Sequence, residues 1–344
     1  MPTKPVQLAV PQPVLDELEA HGLPIAGTLT EVEEQLKSQV ASSHAFMQQA
    51  ARYLMDAGGK RFRPMLVALC AHLGEAGRPE IPQAGVVVEL VHLATLYHDD
   101  VIDEATARRG AVSANARWDN TVSILTGDYL FARASELSAD LGVEVTRIMA
   151  QTIAQLCEGQ IMEVQGSAGA LPPDVPRLDP TVEHYLRVIG GKTASLIASS
   201  CRLGALLSGC TSEEVEAATV YGWNVGLAFQ LSDDLLDIAS DHEDSGKTPG
   251  TDLMEGVRTL PVLFALDGEG SDELRGLVER GPHLTEAEVA RALELLRGSP
   301  AMTQAREVAM DYVETAVEQL EVFGDRPVVK ALTRLAEFAV DRVG

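Results

Sequence analysis

Residues His98 to Gly110 read HDDVIDEATARRG, which crowds Asp99, Asp100, Asp103 and Glu104 together and follows them with Arg108 and Arg109. Further on, QLSDDLLDIA repeats the spacing with Asp233, Asp234 and Asp237. Each is an Asp-Asp-x-x-Asp motif at the end of an apolar run, and on a helix its first and last positions share a face one turn apart. Two carboxylates about 6 Å apart repel by roughly 3 kcal/mol at an effective dielectric of about 20, but by under about 1 kcal/mol in water, so sheltered pairs call for a cation. Hard carboxylate oxygens suit Mg2+, which takes one or two carboxylates together with substrate phosphates and water. Two such faces converging make a multi-metal clamp for a diphosphate. One copy alone is as well explained by a solvated acidic face; two copies with matching apolar flanks are not. The His98-Asp99 pair also matches metal phosphohydrolases, but these need further upstream histidines and leave the second motif unexplained.

The chain has 51 acidic and only 27 basic residues, a net charge of -24. Five of those cations nevertheless fall in GGKRFRP (Lys60, Arg61, Arg63) and TARRG (Arg108, Arg109), a concentration that asks for an anion. Arginine's planar fork suits bidentate phosphate contacts and lysine acts as a point charge. Taken singly, Arg61 or Arg63 is equally well explained by pairing with an acid in this acidic protein. Lys192 and Thr193 in GGKT, Lys247 in SGKTPGTD, and Gln230 just before the second aspartate motif complete the set. Two groups of cations around two groups of carboxylates imply two polyanionic substrates, one bound through metal and the other by Lys and Arg directly.

These residues need long helices to position them. Aromatics are only 4% of the chain, and Ala-, Leu- and Glu-rich stretches with helical spacing dominate its 344 residues. The fold class is all-α: one large helical domain over residues 30–344, after a proline-punctuated extension over 1–29. Helices are expected near 30–57, 64–74, 82–105, 114–139, 143–165, 181–208, 213–239, 255–267, 271–280, 285–297 and 301–342, the last broken near Gly324–Pro327; no strand-period segment competes. The acidic balance excludes nucleic acid and anionic membrane surfaces as partners. Prolines interrupt the start of the chain where a signal peptide needs an apolar run, and no stretch offers the roughly 18 uninterrupted apolar residues of a membrane span. A cytoplasmic location follows, with Cys70, Cys157, Cys201 and Cys210 as structural thiols rather than a zinc site or disulfide framework.

With GGKRFRP, LVHLATLYHDDVIDEATARRG, GDYL, GGKT, QLSDDLLD and GKTPGTDLMEGVRTLP in this order, the chain resembles the trans-isoprenyl diphosphate synthases, or polyprenyl synthases. The resemblance runs from about Gly58 to Pro261, with helical continuation beyond. It implies an isoprenoid-synthase bundle around a central cavity, a homodimer, about three Mg2+ ions per active site, and head-to-tail condensation of isopentenyl diphosphate with an allylic diphosphate. It also implies that Asp99, Asp103 and Asp233 coordinate Mg2+, supported by Asp100, Asp234 and Asp237. Arg108, Lys192 and Lys247 would hold the allylic diphosphate, with Thr193 and Gln230 lining the site, while Lys60, Arg63, His92 and Arg109 hold isopentenyl diphosphate. Asp99, Asp103, Asp233, Lys192 and Lys247 form the catalytic set. The chain departs from the family pattern at Val257-Arg258, where members commonly carry a lysine after Glu-Gly, and in a reduced basic run after TARRG.

One turn before Asp99 on its helix lie Ala94 and Thr95, and two turns before lies Val91. Bulky aromatics near these positions close the pocket early in short-chain members of the family. Their absence here predicts a long product of about C30 to C50, suited to quinone side chains. Tyr97 falls off that face; Tyr129 or Phe131 from another helix could supply a floor. Competing readings are a short-chain C15–C20 synthase such as a geranylgeranyl diphosphate synthase, a class I terpene cyclase, and a non-catalytic partner subunit. A cyclase would lack the second Asp-Asp-x-x-Asp and GGKRFRP, and a partner subunit would lack aspartates.

Overall fold

Apolar side chains at helical intervals shape the chain. In helix α1 (Ile25–Gln39), Ile25, Leu29, Val32 and Leu36 form one buried stripe. The computed structural model covers residues 18, 20–167, 171, 174–240, 249–268 and 271–341. Within them the chain groups into two compact units, one of 1–153, 196–219 and 322–332, the other of 154–195, 220–321 and 333–344.

The first unit contains α2 (Ala45–Asp56), α3 (Phe62–Ala71), α4 (Glu80–Ile102), the short α5 (Ala114–Arg117) and α6 (Asn120–Asp140). α4 is apolar around most of its circumference, which buries it on all sides. It packs most extensively on α6, then on α3 and α1. The helix expected over 114–139 breaks at Trp118, because Asp119 is fully extended and caps α6 by accepting the Val122 amide at 2.7 Å. A two-residue antiparallel ladder, Ala107 with Val112 and Arg108 with Ala111, was not expected from the sequence. Its turn residues Arg109 (φ 53°) and Gly110 (φ 73°) both take positive φ, as the tightest hairpins require. α7 (Val143–Gly166), α9 (Ser195–Leu207), α10 (Ser212–Ala239) and α16 (Pro327–Asp341) each cross the sequence boundaries of the units.

The second unit also holds α8 (Val182–Ile189), a single π-turn over Gly190–Ala194, α11 (Thr251–Glu255), α12 (Leu260–Asp267), α13 (Asp272–Val278), α14 (Glu286–Arg297) and α15 (Ala301–Glu318). Ile238, Leu253, Val262, Leu274, Val289 and Leu293 belong to one buried cluster there. α14 begins with a capping box of Thr285 and Glu288. Of the expected helix over 255–267 only α12 forms, from Leu260, because Gly256 at φ 77° ends the separate α11 at Glu255. No helix among the described residues is long and apolar enough to cross a membrane. The four cysteines are free thiols; Cys70 and Cys201 are buried, but Cys157 is exposed.

Candidate active site

The first aspartate motif closes α4. Asp103 is the C-cap residue, its amide on the Asp99 carbonyl at 2.8 Å, so both stand at the negative end of the helix dipole with no basic residue in the last turn. A cation bound there would stabilise that placement. Asp100 is buried; Arg108 Nε donates to its Oδ1 at 2.6 Å, while its Oδ2 has no hydrogen-bond partner. Burial raises the Asp100 carboxyl above its ordinary range, and Arg108 opposes the rise. His98 turns away from this group towards α6, its Nε2 lying 3.2 Å from the Ile124 carbonyl and 3.3 Å from Asp128. A Cβ on Gly127 would fall 2.3 Å from that ring, which accounts for glycine in GDYL.

Beside it lies the basic cluster. Arg61 is 5% exposed and pairs with Glu33 and with the buried Glu89, the latter at 2.9 Å. Of the two arginines in GGKRFRP, this one is therefore structural. Gly59 sits at φ 153°, and a Cβ there would come within 2.4 Å of the Arg61 guanidinium and 2.8 Å of that of Arg109. Arg109 donates to the carbonyls of Leu54 and Gly58, and its Nη2 lies 4.0 Å from Glu89. Arg63 has a buried Nε with no partner. Burial lowers its guanidinium to about 10, with Glu89 pulling the other way and Arg109 lowering it further. Burial, followed by the charges of Arg63, Arg109, Arg61 and Arg108, drives His92 well below 6.5 and keeps the ring neutral. Lys60 is exposed at the edge of this group. A donor array with a surplus of positive charge and an unmet N–H suits a dianion.

In the second unit the Gly190–Ala194 π-turn presents Lys192 and Thr193. It lies so close to α7 that a Cβ on Gly191 would be 2.8 Å from the Gln155 carbonyl, and one on Gly159 would be 2.7 Å from the Lys192 nitrogen. Lys192 pairs with Glu163. Thr193 donates to Gln230, and Gln230 donates to Asp234 one turn on, both at 2.8 Å. Asp234 also accepts from the Tyr185 hydroxyl; burial raises the carboxyl above its usual range, and these hydrogen bonds oppose the rise. Asp237 accepts the amides of Thr251 and Asp252 at 3.2 and 3.3 Å, tying α10 to the start of α11. α10 likewise ends without a basic residue in its last turn. Lys247 lies outside the described residues.

The donor set tests well against magnesium: hard carboxylate oxygens near two helix ends, and the unpartnered Asp100 Oδ2. No group of three or more His, Cys, Asp or Glu side chains among the described residues stands ready to hold a metal ion. An ion that takes one or two carboxylates and completes its shell with phosphate oxygens and water needs none.

A sequence model of the polyprenyl synthetase family matches residues 44–296. The chain belongs to that family. Accordingly it is a prenyltransferase, and it is similar to a nonaprenyl diphosphate synthase of Mycobacterium tuberculosis, 46% identical over 316 residues covering 91% of this chain and 92% of that protein. Among solved structures it resembles a decaprenyl diphosphate synthase from Rhodobacter capsulatus, with a TM-score of 0.86, 33% identity, and 96% and 100% of the two chains covered. It also resembles a geranylgeranyl pyrophosphate synthase from Corynebacterium glutamicum complexed with calcium and isoprenyl diphosphate, with a TM-score of 0.80, 40% identity, and 98% and 100% covered.

In this synthase Val91 and Ala94 are buried on α4 and Thr95 is half-buried, its hydroxyl on the His92 carbonyl at 2.8 Å. Tyr97 is anchored elsewhere, donating to the Ala50 carbonyl at 2.6 Å and accepting the Leu54 amide at 3.1 Å. The Tyr129 hydroxyl is on the Ala41 carbonyl, and Phe131 packs against His98 with ring centres 5.5 Å apart. Four residues escaped the reading of the sequence as site residues: Glu89, Glu163, Tyr185 and Asp252. Glu89 alone left a signal, as a charge inside the apolar run AGVVVELVHL. Asp252 is pushed well above the carboxylate range by burial and by the charges of Asp234 and Asp237. With Arg258, Val257, His184 and Tyr185, Glu163 lines a small cavity of about 30 Å³ in the second unit.

Proposed function

We propose that this synthase joins isopentenyl diphosphate head to tail onto an allylic diphosphate, repeating the step to about C30 to C50, and that it works as a cytoplasmic homodimer with residues 30–344 as one catalytic domain. Asp99, Asp103 and Asp233 hold magnesium on the allylic diphosphate, and Asp100, Asp234 and Asp237 orient those ligands. Magnesium held by these carboxylates would neutralise charge on the departing diphosphate. Arg108, Lys192 and Lys247 bind the same leaving group, Thr193 and Gln230 line it, and Lys60, Arg63, His92 and Arg109 hold isopentenyl diphosphate. The allylic carbon–oxygen bond breaks, the isopentenyl double bond bonds to the freed carbon, and a proton passes to the released diphosphate. Aliphatic helix faces keep water from quenching the cation.

The product length rests on the α4 face before Asp99, where Val91, Ala94 and Thr95 carry no bulky ring and Tyr97 is held off by Ala50 and Leu54. Exposed Ile124, Leu125 and Val143 support the homodimer. Incubation with farnesyl diphosphate, isopentenyl diphosphate and Mg2+, followed by mass spectrometry of the products, tests the reading. Chains of about C30 or longer are expected, and Ala94→Phe should shorten them; exclusive C20 product from the wild type would overturn the length. Asp99→Asn and Asp233→Asn should each abolish turnover with helicity retained.

A further inference from the structure

We propose that Glu89 is a positioning residue for isopentenyl diphosphate: its buried carboxylate fixes Arg61 and draws in Arg109 and Arg63, so that the latter two present a ready-made fork to the second diphosphate. The inference rests on the assignment of Arg63 and Arg109 to that substrate. Glu89 rises from the middle of α4 with a side chain only 2% exposed, in an apolar run that offers it no water. Arg61 is spent on protein: Nε on Glu33, Nη1 on Glu89 at 2.9 Å and Nη2 on the Met55 carbonyl at 3.4 Å. It ties the Gly58–Arg63 loop to α4 and α1, with all three of its nitrogens bonded to protein. Arg109, on the hairpin, reaches the same carboxylate at 4.0 Å, and Gly59 makes room for both guanidiniums. Glu89 thus stands among three guanidiniums, those of Arg61, Arg63 and Arg109, and Glu33 adds a second carboxylate on Arg61. Without Glu89 the three cations would repel one another apart. With it, one positive charge remains in excess and the Arg63 Nε stays unmet, ready for an incoming dianion.

The alternative, a counter-charge that only tempers the site, predicts the opposite sign, since removing a nearby anion would then tighten phosphate binding. Glu89→Gln and Glu89→Asp should therefore be compared with wild type by steady-state kinetics and by calorimetric titration of isopentenyl diphosphate in EDTA. For Glu89→Gln the KM and Kd for isopentenyl diphosphate should rise about tenfold, as expected for losing a charge-assisted hydrogen bond that holds the fork. Glu89→Asp should recover part of this, while kcat and the KM for the allylic diphosphate stay within about twofold. Unchanged or tighter binding, or a loss confined to kcat, overturns the proposal. Should Glu89→Gln fail to fold, Glu33→Gln loosens Arg61 from its other side and should raise the same KM about threefold; no change there overturns it equally. A wild type that never consumes isopentenyl diphosphate would sink the functional reading itself, whatever the variants do.

Discussion

Arg61 and Arg63 stand two positions apart in GGKRFRP and do opposite work. Arg61 is neutralised by two carboxylates, whereas Arg63 keeps a buried N–H without a partner. Nothing in their residue type separates them, because the distinction depends on Glu33 and Glu89 arriving from other helices. His92 belongs to the same neighbourhood and yields a prediction in pH. Its folded-state pKa is depressed below 6.5 by burial and by Arg63, Arg109, Arg61 and Arg108. The unfolded chain therefore takes up a proton that the native state refuses, so the stability is complete above the ordinary value and is lost as pH falls below it. Between pH 7.5 and 5.5 the wild type should lose about 1.4 kcal/mol more than His92→Gln, read from urea melts at both pH values. Parallel losses would mean that His92 is protonated in the folded protein.

At the scale of elements, short irregular pieces aim the side chains that long helices carry. The π-turn over Gly190–Ala194 changes the direction of Lys192 and Thr193, and Gly191 with Gly159 lets its backbone touch α7. Gly191→Ala puts a methyl 2.8 Å from the Gln155 carbonyl and 2.9 Å from the Gly159 Cα, both backbone atoms that cannot swing aside. We expect a loss of about 1–3 kcal/mol in stability by chemical denaturation and a larger fall in activity than that loss explains. Gly276→Ala, whose Cβ meets nothing within 4 Å inside a helix, should leave activity unchanged and raise stability by about 0.5–1 kcal/mol. The GGKT pattern was visible in the sequence as a cation beside small residues, but the extra residue per turn was not, since a helical stretch reads the same with or without a π-bulge. The breaks at Trp118 and Gly256 were hidden for a similar reason: flanking apolar periodicity continues across them.

At the scale of the molecule, the chain carries a net charge of -24 and two helix ends with carboxylates, while no ready-made cage of three or more ligands exists among the described residues. A ligand that binds only the native state raises its stability by mass action. Magnesium alone should shift Tm little, and magnesium with inorganic pyrophosphate should raise it by several degrees, of the order of 1–2 °C per kcal/mol of binding for a chain of this size. EDTA should abolish both that shift and turnover, with activity returning on Mg2+ addition. A large shift from Mg2+ alone would mean that the carboxylates form a complete site without phosphate.

The sequence by itself determined the helical class, the two aspartate motifs, the clustering of scarce cations and the family. These are properties of spacing and composition: carboxylates one helical turn apart share a face wherever that helix goes, and an apolar run long enough to wrap a helix must be buried. Only the tertiary structure decided which arginine is spent internally, which acids are buried, and which amides and hydroxyls hold Asp234 and Asp237. Burial and pairing are set by groups far apart in the chain, so desolvation and counter-charge come into existence only once Glu89 meets Arg61, Tyr185 meets Asp234 and Glu163 meets Lys192.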